Sequence, residues 1–374
     1  YWMNCDDTTT TTTTSTSTST ATSVNSTKTP QHLYLPNNTK DTEAIDMCLR
    51  SIPQIVENAD ELLANPPRVF GSTSQQQQPQ ERILYAGQGE VIHATPDQCD
   101  ILLSDRATTC HILAFQQKQQ QQDNSNKSLF SMAHLDGDGY GNCILKMIME
   151  HKRFAAHHKC NNTNQIPIDV HIMGGFEDDD GCSRKITNSL FRTLIEIAAS
   201  EPTVSLTLRT CAVTSMNDTG HSCPIGRGLG MDLRDDSGTV FLAKVTDYEL
   251  LGPVPELRAA RLWTAAGNNN SHEDSLLVIH SWDANKITIP PFRYESFGKE
   301  ARVLLRVDNG TLLRLTSTSP DVEEEEEYCH DFRKTLRFMN TVPEASCFQQ
   351  NNTAPAYFRR VGNTNQWKWI RCYY

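Results

Sequence analysis

From Ile101 to Asp138 the chain is built of short apolar runs, too brief for helices and too regular for loops. Ile101-Leu102-Leu103 leads into the polar block Ser104 to Thr109, then Cys110, then His111-Ile112-Leu113-Ala114-Phe115. After a glutamine-rich insertion the chain resumes as Leu129-Phe130-Ser131-Met132-Ala133-His134-Leu135-Asp136. Such runs predict β-strands, and the polar block predicts a hairpin or a pair of neighbouring strands. If the strand headed by Cys110 pairs with the one ending near His134, a thiol lies beside an imidazole. That pair is the minimum apparatus for nucleophilic catalysis, because the thiolate is the reactive form and an imidazolium favours it. The competing reading is plain packing: free cysteines are common core residues, and this chain has 12 cysteines and 12 histidines from which a pair could arise by chance.

The wording of the segment is more specific than its spacing. Ser104-Asp105-Arg106-Ala107-Thr108-Thr109-Cys110-His111-Ile112, Ala133-His134-Leu135-Asp136-Gly137 and Val170-His171-Ile172-Met173-Gly174-Gly175-Phe176-Glu177-Asp178-Asp179 closely resemble the protein N-terminal asparagine amidohydrolase family. The resemblance runs from about Glu43 to Trp369 and is patchy after 200. It implies deamidation of an N-terminal asparagine to aspartate, with Cys110 as nucleophile and the product feeding an N-degron pathway. A remoter likeness, to bacterial chemoreceptor glutamine deamidases, implies a Ser, Cys and His acting together. It would give the third role to Ser104, six residues before the cysteine.

Composition narrows the rest. Of 374 residues, 37% are hydrophobic, enough for a sizeable core, and the low-complexity tracts account for much of the polarity. The expectation is therefore a disordered Thr/Ser-rich tail over residues 1–40 and one domain over 41–374, with polar insertions near 72–80 and 116–127. A net charge of −11 argues against a nucleic-acid surface. The twelve cysteines include no Cys-x-x-Cys pair, so no zinc ribbon is expected, and their density is far below that of a disulfide scaffold. No apolar leader opens the chain and no run of eighteen apolar residues occurs. Sequons such as Asn217-Asp218-Thr219 arise readily in an asparagine-rich chain. Free thiols are expected, in an intracellular protein, cytoplasmic with the nucleus left open, monomeric, and without membrane, nucleic-acid, metal or cofactor partners.

Apolar spacing predicts two short helices over 41–64, interrupted at Pro53, and helices over 141–158, 183–200, 255–263 and 328–339. In the 141–158 helix Ile144, Leu145, Ile148, Met149 and Phe154 are expected to share a face. Strands are predicted at 82–86, 90–94, 166–173, 205–213, 226–231, 238–245, 276–282 and 286–290, and the tail over 357–374 carries Phe358, Trp367 and Trp369 in strand-like alternation. Residues 301–307 and 310–316 read as a hairpin across Asn309-Gly310. Strands and helices that do not strictly alternate predict an α+β fold with mixed, largely antiparallel sheets flanked by helices. The resemblance adds a remote likeness to cysteine-dependent protein deamidases.

Function then distributes over named residues. On that resemblance Cys110 would attack the carboxamide, His134 would carry the proton, and Ser104 would orient His134 or donate to the oxyanion. His111 follows the nucleophile but in a strand must point to the opposite face. A substrate's α-ammonium needs a carboxylate, for which Asp105 and Asp136 are candidates, with Glu177 and Asp178 next and Thr109 as a further substrate contact. Gly174-Gly175 suits a tight turn or a close backbone approach. His157-His158 reads as a solvated helix end, and Glu323 to Glu327 as a solvated charge run. Two rivals remain: a cysteine peptidase or deamidase acting on internal glutamine, and a non-catalytic scaffold with a structural Cys110.

Overall fold

A computed structural model describes residues 42–71, 81–117, 128–137, 140–158, 165–234, 238–265, 276–294, 298–343, 346–348 and 354–370. The expected tail over 1–40, the insertion near 72–80 and most of that near 116–127 lie outside these residues. Gln116 and Gln117 do not belong to an insertion: both are buried and paired in a strand.

The fold is α+β. In chain order it runs α1 (Thr42–Arg50), α2 (Pro53–Ala64), β1 (Arg68–Phe70), β2 (Ile83–Tyr85), β3 (Glu90–Ala94), β4 (Ile101–Ser104), β5 (His111–Gln117) and β6 (Leu129–Leu135). Then follow α3 (Gly141–His157), β7 (Ile166–Gly174), α4 (Cys182–Ser200), β8 (Val204–Val213), β9 (Leu229–Asp232), β10 (Thr239–Val245), α5 (Pro255–Ala265), β11 (Leu277–His280) and β12 (Ile287–Ile289). The chain closes with α6 (Gly298–Leu304), α7 (Asn309–Thr316), α8 (Glu325–Thr341), β13 (Ala356–Arg360) and β14 (Trp367–Ile370).

These strands form a nine-stranded sheet, ordered β14-β13-β12-β11-β3-β6-β5-β7-β8, and a five-stranded sheet, ordered β1-β10-β9-β4-β2. Most neighbours are antiparallel; β11/β3, β7/β8, β1/β10 and β2/β4 are parallel. The near-continuous apolar character of β5 follows from burial on both faces. Leu113 and Phe115 join one core with α3 and α4, while Ile112 and Ala114 join a second core. That second core also holds Leu102, Leu229 and Met231 of the smaller sheet, so the two sheets pack face to face across it.

Three local expectations give way. The apolar runs of β4 and β5 do not pair with each other; they enter different sheets, and the polar block between them is a crossing. The 301–316 region is helical: Asp308 caps α7 by accepting the Thr311 amide at 2.9 Å, and Leu312 and Leu313 are buried against α8. The Asn-Gly pair thus sits in a capped first turn, where the cap outweighs its hairpin preference. On α3 the buried stripe is Cys143, Ile144, Met147, Ile148, His151 and Phe154, whereas Met149 is 44% exposed.

Candidate active site

The register of β5 against β6 fixes the site. His111 lies opposite Leu135 and Ile112 opposite His134. Continued by one residue, the register sets Cys110 opposite Asp136. Directly opposed residues of an antiparallel pair share a face, as do residues two apart. Cys110, Ile112 and His134 therefore face the same side, with Cys110 and His134 as diagonal neighbours, a separation that side chains of this length reach across. The same rule turns His111 to the other face, where its Nε2 meets the Thr187 hydroxyl of α4 at 2.7 Å.

Ser104 arrives from the other sheet. Leu102 faces the inter-sheet core and Leu103 the outer one, so Ser104, two beyond Leu102, points inward. Its Oγ lies 3.0 Å from His134 Nδ1, with both residues buried. His134 Nε2 is buried with no hydrogen-bond partner among the described residues. Cys110 and His134 both line one cavity of about 770 Å³, and Cys110 keeps 9% of its surface exposed. This volume falls within the range of ligand-binding pockets.

The backbone around Cys110 is held tightly. Gly174 has φ +129, and a Cβ there would stand 2.3 Å from the Cys110 carbonyl oxygen. The Gly175 amide donates to that oxygen at 3.0 Å. The paired glycines thus permit approach to the protein's own backbone rather than to a ligand. Asn217, fully buried, donates to the carbonyls of Gly175 and Gly226 and accepts from the Gly226 amide, tying this corner to the loop before β9. Across the cavity Arg106, at φ 62, pairs with Glu327 and Asp331 of α8. Such a conformation is strained for a non-glycine residue and persists only where the surroundings over-determine it.

Burial dominates the electrostatics. It raises the Cys110 thiol far above its ordinary range, and the nearby Asp136 and Glu323 carboxylates push it further in the same direction. Burial alone lowers the His134 imidazole to about 4. The resting pair is therefore a neutral thiol and a neutral imidazole.

The expected carboxylates part ways. Asp105 lines the cavity but is buried and already accepts from the Tyr85 hydroxyl at 2.6 Å and the Val245 amide at 2.8 Å. Asp136 lines it too and accepts from the Tyr140 hydroxyl. Glu177 and Asp178 are elsewhere: Glu177 pairs with Arg184, and Asp178 accepts the Cys182 and Ser183 amides at the start of α4. Thr109 contacts Thr318 at 3.2 Å, and it is the neighbouring Thr108 that lines the cavity. The acidic run is not simply solvated. Glu323 and Glu327 are half-buried at the cavity and Glu324 pairs with Lys244 at 2.7 Å. No signal in the sequence singles out Glu323 within that run. Among the described residues no cluster of three metal-ligating side chains occurs, and the nine described cysteines are free thiols.

The α+β scaffold thus brings a thiol and an imidazole to one cavity, with a hydroxyl from the second sheet buried behind the imidazole. A family model for protein N-terminal asparagine amidohydrolase matches residues 73–369, and the chain belongs to that family. It is similar to the protein N-terminal asparagine amidohydrolase of Homo sapiens, 27% identical over 301 residues, which is 78% of this chain and 87% of that protein. The Sus scrofa protein of the same name is likewise 27% identical, over 78% of this chain and 86% of its own length. The Mus musculus protein is 27% identical over 290 residues, 75% of this chain and 83% of its own.

Proposed function

We propose that this protein hydrolyses the side-chain amide of an asparagine at the first position of a protein or peptide, through a thioester on Cys110. The observation that carries the reading is a single cavity holding Cys110, His134 and an excess of carboxylates. The relatives named above are amidohydrolases of that specificity.

In the tautomer whose Nδ1–H donates to Ser104, the buried, unpartnered Nε2 of the cavity-lining His134 is left as a lone pair. That nitrogen takes the Cys110 proton as sulfur attacks the carboxamide carbon. The tetrahedral adduct collapses by breaking the C–N bond, and the imidazolium returns the proton to the leaving amine, so ammonia departs. Water, deprotonated by the same imidazole, then cleaves the thioester and releases aspartate and the free thiol. Neutral resting partners suit this route, since the proton moves only as the new bond forms. Rejection of glutamine, longer by one methylene, is worth only about 1–3 kcal/mol by fit alone, so a hard geometric stop is required.

We further place the protein inside the cell as a monomer whose product feeds an N-degron pathway. The decisive experiment measures ammonia release from an Asn-Xaa peptide and from its N-acetylated form. Release from the free peptide alone is expected; equal release from both would favour an internal-amide deamidase. A folded Cys110→Ala variant should be inactive, and retained activity would remove Cys110 from the mechanism.

A further inference from the structure

An amino-terminal amidohydrolase has to read a cation, and the cavity holds more carboxylates than a cation-reader needs. Their partners sort them. Glu327 and Asp331 are paired to Arg106, Glu324 to Lys244, and Glu90 to Arg258. Asp105 is buried and spent on Tyr85 and Val245. Asp136 accepts from Tyr140 and lies within the field of Arg261.

Glu323 differs. Among the described residues its Oε1 is met only by the Thr108 hydroxyl at 3.3 Å and the Ser319 hydroxyl at 3.5 Å, both long contacts. Arg227 and Arg106 act on it through space, yet neither forms an ion pair with it among the described residues. It stands close enough to Cys110 to disfavour the thiolate. The cavity it enters also contains the buried, unpartnered Nε2 of His134.

Resting on the amino-terminal reading above, we propose that Glu323 receives the substrate's α-ammonium, and that this contact neutralises a carboxylate that shares the cavity with the Cys110 sulfur. The first part follows from pairing: an ammonium supplies three donors to a half-buried carboxylate whose existing contacts are weak. The second follows from charge: once an ammonium sits on Glu323, the pair is neutral as seen from the sulfur, and attack no longer builds one negative charge against another. Amine recognition and nucleophile activation are then one event. A substrate with a blocked amino group forfeits both.

The test uses the full chain and the isosteric Glu323→Gln variant, with two readouts. In kinetics, the wild type should favour the free over the acetylated Asn peptide, and the variant should lose tenfold or more of that ratio. In alkylation of Cys110 by iodoacetamide without substrate, followed by mass spectrometry, the variant's pH midpoint should fall, because a negative charge near the sulfur is gone. Glu323→Asp, which keeps the charge but shortens its reach, should lose discrimination while leaving the alkylation midpoint at the wild-type value. A Glu323→Gln variant with unchanged ratio and unchanged midpoint overturns the proposal, as does loss of discrimination in Asp136→Asn alone. Failure of the wild type to distinguish the two peptides would instead sink the amino-terminal reading itself.

Discussion

Gly174→Ala is the sharpest test of how the site is held together. The methyl carbon would stand 2.3 Å from the Cys110 carbonyl oxygen and 2.9 Å from the His111 Cα, where real contacts stay beyond 3.0 Å. Both obstacles are backbone, so no rotamer change relieves them, and about 0.7 Å of relative movement is forced on the segment bearing the thiol. The φ of +129 adds the strain of a region few L-residues enter, of order 1–3 kcal/mol. A destabilisation of about 2–4 kcal/mol leaves a typical domain folded but melting several degrees lower. A 1 Å misplacement costs on the order of 10²-fold in rate, so ammonia release should drop by roughly tens-fold. Gly181→Ala is the matched control. Its φ is +65, and a Cβ there meets nothing within 4 Å. It should lower the melting temperature by a few degrees and leave ammonia release within about twofold of wild type, since the left-handed well costs an L-residue about 1–2 kcal/mol without displacing the nucleophile. Activity and melting are measured on all three proteins, with kinetics taken well below the lowest transition. A Gly174→Ala protein with wild-type ammonia release would refute the claim that this glycine positions Cys110.

Ser104→Ala should reduce kcat by tenfold or more and alter the pH profile of ammonia release, because it strips the His134 Nδ1 of a buried partner at a cost of roughly 1–3 kcal/mol; an unchanged profile would make Ser104 a packing residue only. Arg258→Ala should destabilise by about 3–5 kcal/mol in denaturant titration, since it leaves the Glu90 carboxylate buried without its cation. Acid should loosen the fold through its buried histidines. Burial holds His93 at about 3 and His280 at about 4, below the 6.5 of an exposed imidazole, and lowers His151 well below it. The unfolded chain therefore binds protons first, and stability is complete above about pH 6.5 and declines as pH falls toward 4. A melting temperature that stays flat from about pH 7 to 5 would contradict that linkage.

The sequence made legible what period and residue type control. The helices at 53–64, 141–157 and 182–200 and the strand from Ile166 announced themselves through spacing, proline and turn chemistry. The orientation of His111 followed from alternation alone, and the placing of Cys110 and His134 on one face followed from one assumed pairing that the β5/β6 register supplies. What stayed hidden was long-range. Nothing local says that β4 and β5, seven residues apart, belong to different sheets, since both are apolar runs and either partner satisfies their backbone groups. Nothing local separates Glu323 from the four glutamates after it, because its burial is decided by Thr108 and Ser319, the former more than two hundred residues distant in the chain. The helix at 309–316 was misread for a different reason: an Asn-Gly pair is a strong turn signal, and the Asp308 cap that overrides it counts only if a helix is already assumed.

The division of the site between two sheets bears on its chemistry. Cys110 and His134 come from adjacent strands of the large sheet, so their relation is as rigid as the register. Ser104 comes from the small sheet, and the corner that follows it runs through Arg106, which is clamped to Glu327 and Asp331 of α8. Glu323 lies just ahead of that helix. Ser104 beside the imidazole and Glu323 at the cavity are thus both tied to one strained corner, which also leads directly into Thr108, Thr109 and Cys110. On the proposed reading, an amine drawn to Glu323 would meet the same corner that brings Ser104 to the His134 Nδ1. If Glu323 is the amine's partner, cation recognition and proton transfer share one corner of the backbone, and a ligand lacking the ammonium would leave the thiol in its neutral, burial-stabilised form.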